Sequence, residues 1–77
     1  MKFQIGDLFV YTTVDSVQYG IVIGFGQKNI YNRDDVKVFW IHSQGSRWKG
    51  EHDCYYIKRT LSNPDLGWKH YPVRETG

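Results

Sequence analysis

The chain carries few side chains that could ligate a metal: three histidines, His42, His52 and His70, and one cysteine, Cys54. Structural zinc sites use ligand pairs at characteristic spacings, such as two cysteines separated by two residues, and these spacings are missing here. His52 and Cys54 are two residues apart, so in a strand they would share one face and could form a ligand pair. The spacing still favours the plainer interpretation, in which Cys54 packs as a small apolar group and the histidines are solvated.

Nucleophilic catalysis would need Cys54 as the nucleophile and His52 as its base. No residue pattern supplies an oxyanion hole or a third group that orients the base. Asp34 and Asp35 are adjacent acids, but neighbours in a strand point to opposite faces, which is poor geometry for shared acid–base chemistry. The sequence therefore predicts a protein that is not an enzyme and that uses no cofactor.

Binding through aromatic and basic side chains is the better supported chemistry. The chain has three Trp, six Tyr and four Phe, too many rings for a core of this size, so some are expected to be exposed. Exposed rings next to cations can stack on bases and neutralise a nucleic-acid backbone, or hold a peptide. In the alternative interpretation Trp48 belongs to the core and the flanking bases are a solvated face. The predicted binding residues are Arg47, Trp48, Lys49, Lys58 and Arg59.

Two other kinds of binding remain open at this stage. An aromatic cage could hold a nucleotide or a methylated ammonium group, although the chain has no glycine-rich loop that would cradle phosphates. The candidate walls are Tyr11, Tyr19, Tyr31 and Tyr55. An exposed apolar patch could instead dock onto a host or virion protein. The candidate patch is Leu61, Leu66, Trp68, Tyr71 and Val73.

Size and charge restrict these functions further. Seventy-seven residues form one domain, and the net charge of +2 is too small to indicate nucleic acid by itself. The positive surplus lies in residues 41–77. A single cysteine forms no internal disulfide, and the chain has no long apolar stretch, so we expect a cytoplasmic protein without a signal peptide or membrane span.

The elements that position these residues are predicted to be strands. Val, Ile, Thr and aromatic residues dominate, and alanine is absent. Strands are predicted at 8–12, 17–25, 35–41, 47–49, 54–58 and 68–71, with an interruption at 50–53 and a turn at 62–67. About five antiparallel strands in so short a chain favour a small closed barrel, which has no free edges.

Period-two patterning also predicts the core. In residues 17–25 the bulky side chains alternate with Gly20 and Gly24 on the other face. We expect the bulky face to point inward and the glycines to mark strong bending or close approach of another group. The residues expected to be buried together are Ile21, Ile23, Val36, Val38 and Trp40.

Several short segments resemble a known group of proteins. The Gly6–Asp7 turn, the Gly20–Ile23 segment, the Val36–Trp40 strand and the hairpin with Gly45 and Trp48 resemble the small SH3-like (KOW-like) barrels common among short bacteriophage proteins. The resemblance covers about residues 3–57 and implies an all-β fold and a viral protein in the host cytoplasm. It implies a binding module for a host or viral macromolecule, protein or nucleic acid; the alternative is a protein that sequesters a signalling nucleotide of host defence.

Residues 58–77 follow the barrel-like pattern as a C-terminal extension, so the chain divides into a barrel at 1–57 and an extension at 58–77. Leu61, Leu66 and Trp68 make the extension too apolar for a disordered tail. It is expected to pack either on its own barrel or on a second copy of the chain. The second arrangement predicts a symmetric homodimer through the extension.

Overall fold

A computed structural model of the protein describes residues 2–73. Its elements are β1 (Leu8–Thr12), β2 (Val17–Phe25), β3 (Asp35–His42), β4 (Arg47–Asp53), α1 (Cys54–Leu61), a 3₁₀ turn (Pro64–Leu66) and β5 (Trp68–Tyr71). All neighbouring strands are antiparallel, in the order β4-β3-β2-β1-β5. The helix α1 contacts both edge strands, β4 and β5, and the result is a small β-barrel-like fold.

The predicted strands at 8–12, 17–25 and 68–71 are confirmed, and the strand predicted at 35–41 extends one residue further, to His42. The prediction of an interruption at 50–53 is wrong, because β4 continues to Asp53 and pairs with β3 along its length. The helix α1 replaces the strand predicted at 54–58. Asp53 caps this helix by accepting hydrogen bonds from the backbone N–H groups of Tyr55 and Tyr56, at 2.7 and 3.2 Å.

The faces of β2 are the reverse of those predicted. Ile21 and Ile23 are 41% and 44% exposed, whereas Val22 is fully buried. The predicted burial of Val36, Val38 and Trp40 is confirmed. The whole buried hydrophobic core of the described residues is Phe3, Phe9, Val22, Val36, Val38, Trp40 and Ile57.

Gly20 explains why the face of β2 with the smaller side chains is the inner one. A Cβ at this position would lie 2.7 Å from atoms of the Trp40 ring and of the Val38 side chain. The missing side chain therefore admits the largest ring of the core, which is the close approach expected of this glycine. The pairing of β2 with β3 also shifts by one residue between Val22 and Gly24, where β2 has an extra residue.

The C-terminal extension contributes to the same sheet as the rest of the chain. Its strand β5 pairs with β1, and Leu61 and Trp68 pack against the core. The predicted boundary after residue 57 falls inside α1. Within the described part of the extension, the barrel itself partly buries these two side chains. Residues 74–77 lie outside the described residues.

A buried carboxylate ties the two ends of the described chain together. Asp7 is 1% exposed and accepts hydrogen bonds from the backbone N–H groups of Gln4 and Val73, at 3.0 and 2.8 Å. The Nε2 atom of His70, on β5, lies 2.8 Å from the same carboxylate. Asp7 thus joins the N-terminal segment, the start of β1 and the last strand.

Candidate functional site

Strand β4 separates the predicted binding residues 47–49. Trp48 lies on the core side, where its ring stacks on Trp40 with centroids 5.9 Å apart. Because successive residues of a strand point to opposite faces, Arg47 and Lys49 lie on the outer face. The structure therefore places Arg47 and Lys49 on one face of the sheet. It places the ring of Trp48, which lies between them in sequence, on the other face.

The other two predicted binding residues lie on α1. The helix buries Ile57 and Thr60, and it exposes Lys58 and Arg59 in its last turn. These two bases belong to the helix and not to the outer face of β4. The five predicted residues thus lie on more than one surface of the fold.

The outer face of the sheet carries two rows of side chains that cross all five strands. One row is Tyr71, Leu8, Ile21, Phe39 and Lys49. The next row is Lys69, Val10, Tyr19, Ile41 and Arg47. Together they contain seven apolar side chains, three bases and no acid, and we call these ten residues the open face. None of the ten is fully buried, and Tyr19, Ile21 and Tyr71 are each more than 40% exposed.

The charge of the open face is uncompensated. Within residues 2–73, none of Arg47, Lys49 and Lys69 lies within ion-pair distance of a carboxylate. The neighbouring Lys37, by contrast, pairs with Glu51 at 3.8 Å. The open face therefore has an apolar centre on β1, β2 and β3, with bases on the two edge strands.

A concave site lies on the other side of the same sheet, which is the core side. It is a cavity of about 250 Å³, and every strand contributes to its wall. We call it the aromatic pocket; its lining residues are Tyr11, Thr13, Gln18, Trp40, Trp48, His52 and Trp68. Trp48 is 45% exposed although it stands among core rings, so it forms an accessible wall of the pocket.

His52 is held in its uncharged form in this pocket. Burial lowers its pKa, and a weaker attraction from Asp35 acts in the opposite direction. Its Nε2 atom accepts a hydrogen bond from the indole N–H of Trp40 at 3.0 Å. The histidine therefore supports the ring of Trp40 and adds no positive charge to the pocket at neutral pH.

Two of the tyrosines proposed as cage walls already hold a cation of the chain. The guanidinium of Arg33 lies 4.7 Å from the ring centroid of Tyr31 and 4.8 Å from that of Tyr55. Arg33 also donates a hydrogen bond to Asp53 at 3.0 Å. Of the four tyrosines, Tyr11 alone lines the aromatic pocket, and Tyr19 lies on the open face.

The bond from Arg33 helps to fix the cap of α1. Burial raises the pKa of the Asp53 carboxyl, but the hydrogen bonds from Arg33, from Asn29 and from the backbone N–H groups of α1 outweigh it, and the pKa is lowered. Asp53 is therefore ionised at neutral pH, which suits a helix cap.

His52 and Cys54, which were considered as a ligand pair and as a base with its nucleophile, lie on different elements, β4 and α1. Cys54 begins α1 and packs against the core, while His52 lines the aromatic pocket. Across the described part of the chain, no group of three or more His, Cys, Asp and Glu side chains is placed to hold a metal ion. Among the same residues, no helix is long and apolar enough to cross a membrane.

The sequence singled out the bases of β4 and Tyr71, but it did not predict that they share one face with the side chains of β1, β2 and β3. Ile21 was assigned to the core, although the neighbouring Gly20 was the sign that the other face packs inward. The aromatic pocket was missed because its three tryptophans come from three different strands. Compared with protein-family models, with curated proteins and with solved structures, the chain matches none of them.

Proposed function

We propose that the protein is a non-enzymatic binding module that recognises another protein through its open face. The observation that carries the proposal is the composition of that face: seven apolar side chains, three bases and no acid in two adjacent rows. Contiguous apolar surface is costly to leave in water, and on small proteins it marks interaction sites. The resemblance to bacteriophage barrels makes a host or viral protein the expected partner.

The chemistry of the open face also describes its partner. Burying the apolar centre requires a complementary apolar surface, because the hydrophobic gain is proportional to the area removed from water. The bases at the edges, Arg47, Lys49 and Lys69, would then meet the rim of the partner. Opposite charges across a rim accelerate association and fix its orientation, so we expect acidic residues around the partner's apolar patch.

A protein fits the open face better than a nucleic acid does. Single strands are held by rings that stack on bases, together with cations that follow the backbone. Four of the seven apolar side chains of the open face are aliphatic and provide no ring. They are Leu8, Val10, Ile21 and Ile41.

A second copy of the chain is a less suitable partner for this face. The extension contributes Lys69 and Tyr71 to it, so a symmetric dimer that formed through β5 would use the open face as well. Such a dimer would bring six bases together without an acid in either set of rows, which is electrostatically unfavourable. Light scattering at micromolar concentration tests this directly. We expect the mass of the monomer, 9.1 kDa, and twice that mass would identify the homodimer.

The proposal is tested by pull-down of proteins from a host-cell lysate, with variants of this protein as the bait. Variants of the open face are compared with matched variants elsewhere on the protein. Ile21→Asp places a charge in the apolar centre, and Leu66→Asp places the same charge at an equally exposed leucine outside the face. Arg47→Glu with Lys49→Glu reverses two charges of the face, and Lys58→Glu with Arg59→Glu reverses two on α1. We expect one or more proteins whose recovery, measured by quantitative mass spectrometry, falls at least tenfold in the first variant of each pair only.

Other outcomes of this experiment would contradict the proposal. If no protein depends on the open face, the face is not a protein-binding site. If nucleic acid is recovered instead, and nuclease treatment removes everything that depends on Arg47 and Lys49, the partner is a polyanion. If the charge reversals on β4 and on α1 reduced the recovery of partners equally, the result would favour one broad basic surface that includes Lys58 and Arg59.

A further inference from the structure

We propose that the aromatic pocket binds a trimethylated ammonium group, such as that of trimethyl-lysine or choline. This site lies on the opposite side of the sheet from the open face and is independent of the function proposed for that face. The proposal rests on three observations: the arrangement of the rings, the absence of charge from the wall, and the accessibility of Trp48.

The rings form walls at large angles to one another. Trp68 stands at 79° to Trp40 and at 86° to Tyr11, with centroid distances of 5.3 and 5.7 Å. Trp40 and Trp48 are close to parallel, at 23°. A cation is attracted to the face of an aromatic ring by the quadrupole of that ring, and Trp is the strongest of the three aromatic side chains in this respect. Trp40 is 2% exposed and supports the wall from behind, so the rings that can present faces to one cation are those of Trp48, Trp68 and Tyr11.

The wall carries no charge that would repel a cation or attract an anion. Among the residues that line the pocket there is no Lys, Arg, Asp or Glu, and His52 is uncharged for the reasons given above. A nucleotide needs basic side chains or a loop of backbone N–H groups to bind its phosphates. The described wall has no Lys or Arg side chain. The pocket is therefore better suited to a cation than to a nucleotide.

The kind of cation follows from the absence of a carboxylate from the wall, whose side-chain oxygens are the neutral ones of Tyr11, Thr13 and Gln18. A primary ammonium has three N–H donors that lose their water partners when they enter an aromatic cavity. A trimethylated ammonium has no N–H group, so it keeps its charge without leaving a donor unpaired. Its methyl groups also provide apolar surface that the rings can cover. The cavity of about 250 Å³ has room for such a group and for the chain that carries it.

Gly50 keeps the accessible wall in place. A Cβ at this position would lie 2.6 Å from the ring of Trp48 and 2.9 Å from Nε2 of His52. Gly50→Ala should therefore displace the Trp48 ring while it leaves all the pocket residues present. This variant distinguishes a preformed set of walls from a merely aromatic surface.

Titration with choline and with its uncharged isostere 3,3-dimethylbutan-1-ol tests the proposal. All three tryptophans of the chain line the pocket, so intrinsic fluorescence reports its occupation. We expect saturable binding of choline and at least tenfold weaker binding of the isostere, because the two molecules differ in charge and hardly in shape. Trp48→Ala should weaken choline binding at least tenfold and Trp48→Phe less, with Tyr56→Ala on α1 as the unaffected control. Gly50→Ala should weaken binding as Trp48→Ala does.

The same titration identifies the source of the group and the results that overturn the proposal. Tighter binding of a peptide containing trimethyl-lysine than of choline would identify a modified protein tail, and the unmodified lysine peptide should bind at least tenfold more weakly. Equal binding of choline and its isostere would show that the site is simply apolar. Binding of adenosine monophosphate with no binding of the trimethylated probes would assign the pocket to a nucleotide. No saturation by any trimethylated probe in the folded protein, as verified by its thermal unfolding, would also overturn the proposal.

Discussion

Replacing Asp7 by asparagine is expected to lower the free energy of unfolding by about 3–5 kcal/mol, because it weakens three hydrogen bonds to a buried charge, each of which contributes about 1.5–3 kcal/mol. A domain of 77 residues has a total stability of roughly 4–12 kcal/mol, so this single change removes about a quarter of that stability or more. Urea denaturation of both proteins at pH 7 measures the difference.

The size of the effect follows from the surroundings of the carboxylate. Asp7 accepts from two backbone N–H groups and from His70, and all three donors face an acceptor that is 1% exposed. An asparagine has the same shape, but one of its two terminal atoms is an NH₂ group. That group would face a donor, which leaves at least one buried N–H without an acceptor. Asp15→Asn, a change at an exposed carboxylate in the β1–β2 loop, should cost less than about 0.5 kcal/mol.

The same carboxylate predicts how stability depends on pH. Burial raises the pKa of Asp7, but the hydrogen bonds from Val73, His70 and Gln4 outweigh it, so its folded-state pKa lies below the ordinary value of 3.8. A lowered folded-state pKa means that the stabilisation is complete above the unfolded-state pKa and is lost as the pH falls through the folded-state pKa. We therefore expect the difference between wild type and Asp7→Asn to shrink as the pH falls below the unfolded-state pKa of about 4. A difference that stayed constant at every pH would contradict this account of Asp7.

The strands of this protein were predictable from local sequence, since period-two patterning and turn residues are properties of short segments. The helix α1 was not, because Tyr55, Tyr56 and Ile57 have strong strand preferences. Asp53 and the apolar spacing of Cys54, Ile57 and Leu61 favour a helix here, and they outweigh those preferences. A capping residue is a single position and therefore a weak sequence signal. It stabilises α1 here because the helix also packs against the core.

The choice of the inner face of β2 depended on another strand. Periodicity shows that Ile21 and Ile23 share a face, but it does not show which face is covered. That choice was decided by the ring of Trp40, which occupies the space left by Gly20. The open face and the aromatic pocket depend even more on distant parts of the chain, because both need the register of all five strands. Period-two alternation alone, however, already separates Trp48 from Arg47 and Lys49.

Replacing Gly67 by alanine is expected to cost about 3–4 kcal/mol, more than a glycine in a positive-φ turn usually contributes. Gly67 has φ +77°, and it is the residue that connects the 3₁₀ turn to β5. A Cβ there would overlap the carbonyl oxygen of Thr12. Because that oxygen belongs to the backbone of β1, it cannot move without disturbing the pairing of β1 with β5.

Gly45 provides the matched control for this prediction, since it separates conformational cost from steric clash. It has φ +102° in the β3–β4 hairpin, and a Cβ there would meet nothing within 4 Å. Gly45→Ala should therefore cost only the positive-φ penalty of about 1–2 kcal/mol. Equal losses for the two variants in urea denaturation would show that contact with Thr12 adds nothing. The expected excess loss for Gly67→Ala would show that β5 is held on β1 by a turn that has no room for a side chain. This turn matters for both sites, because β5 provides Lys69 and Tyr71 to the open face and Trp68 to the aromatic pocket.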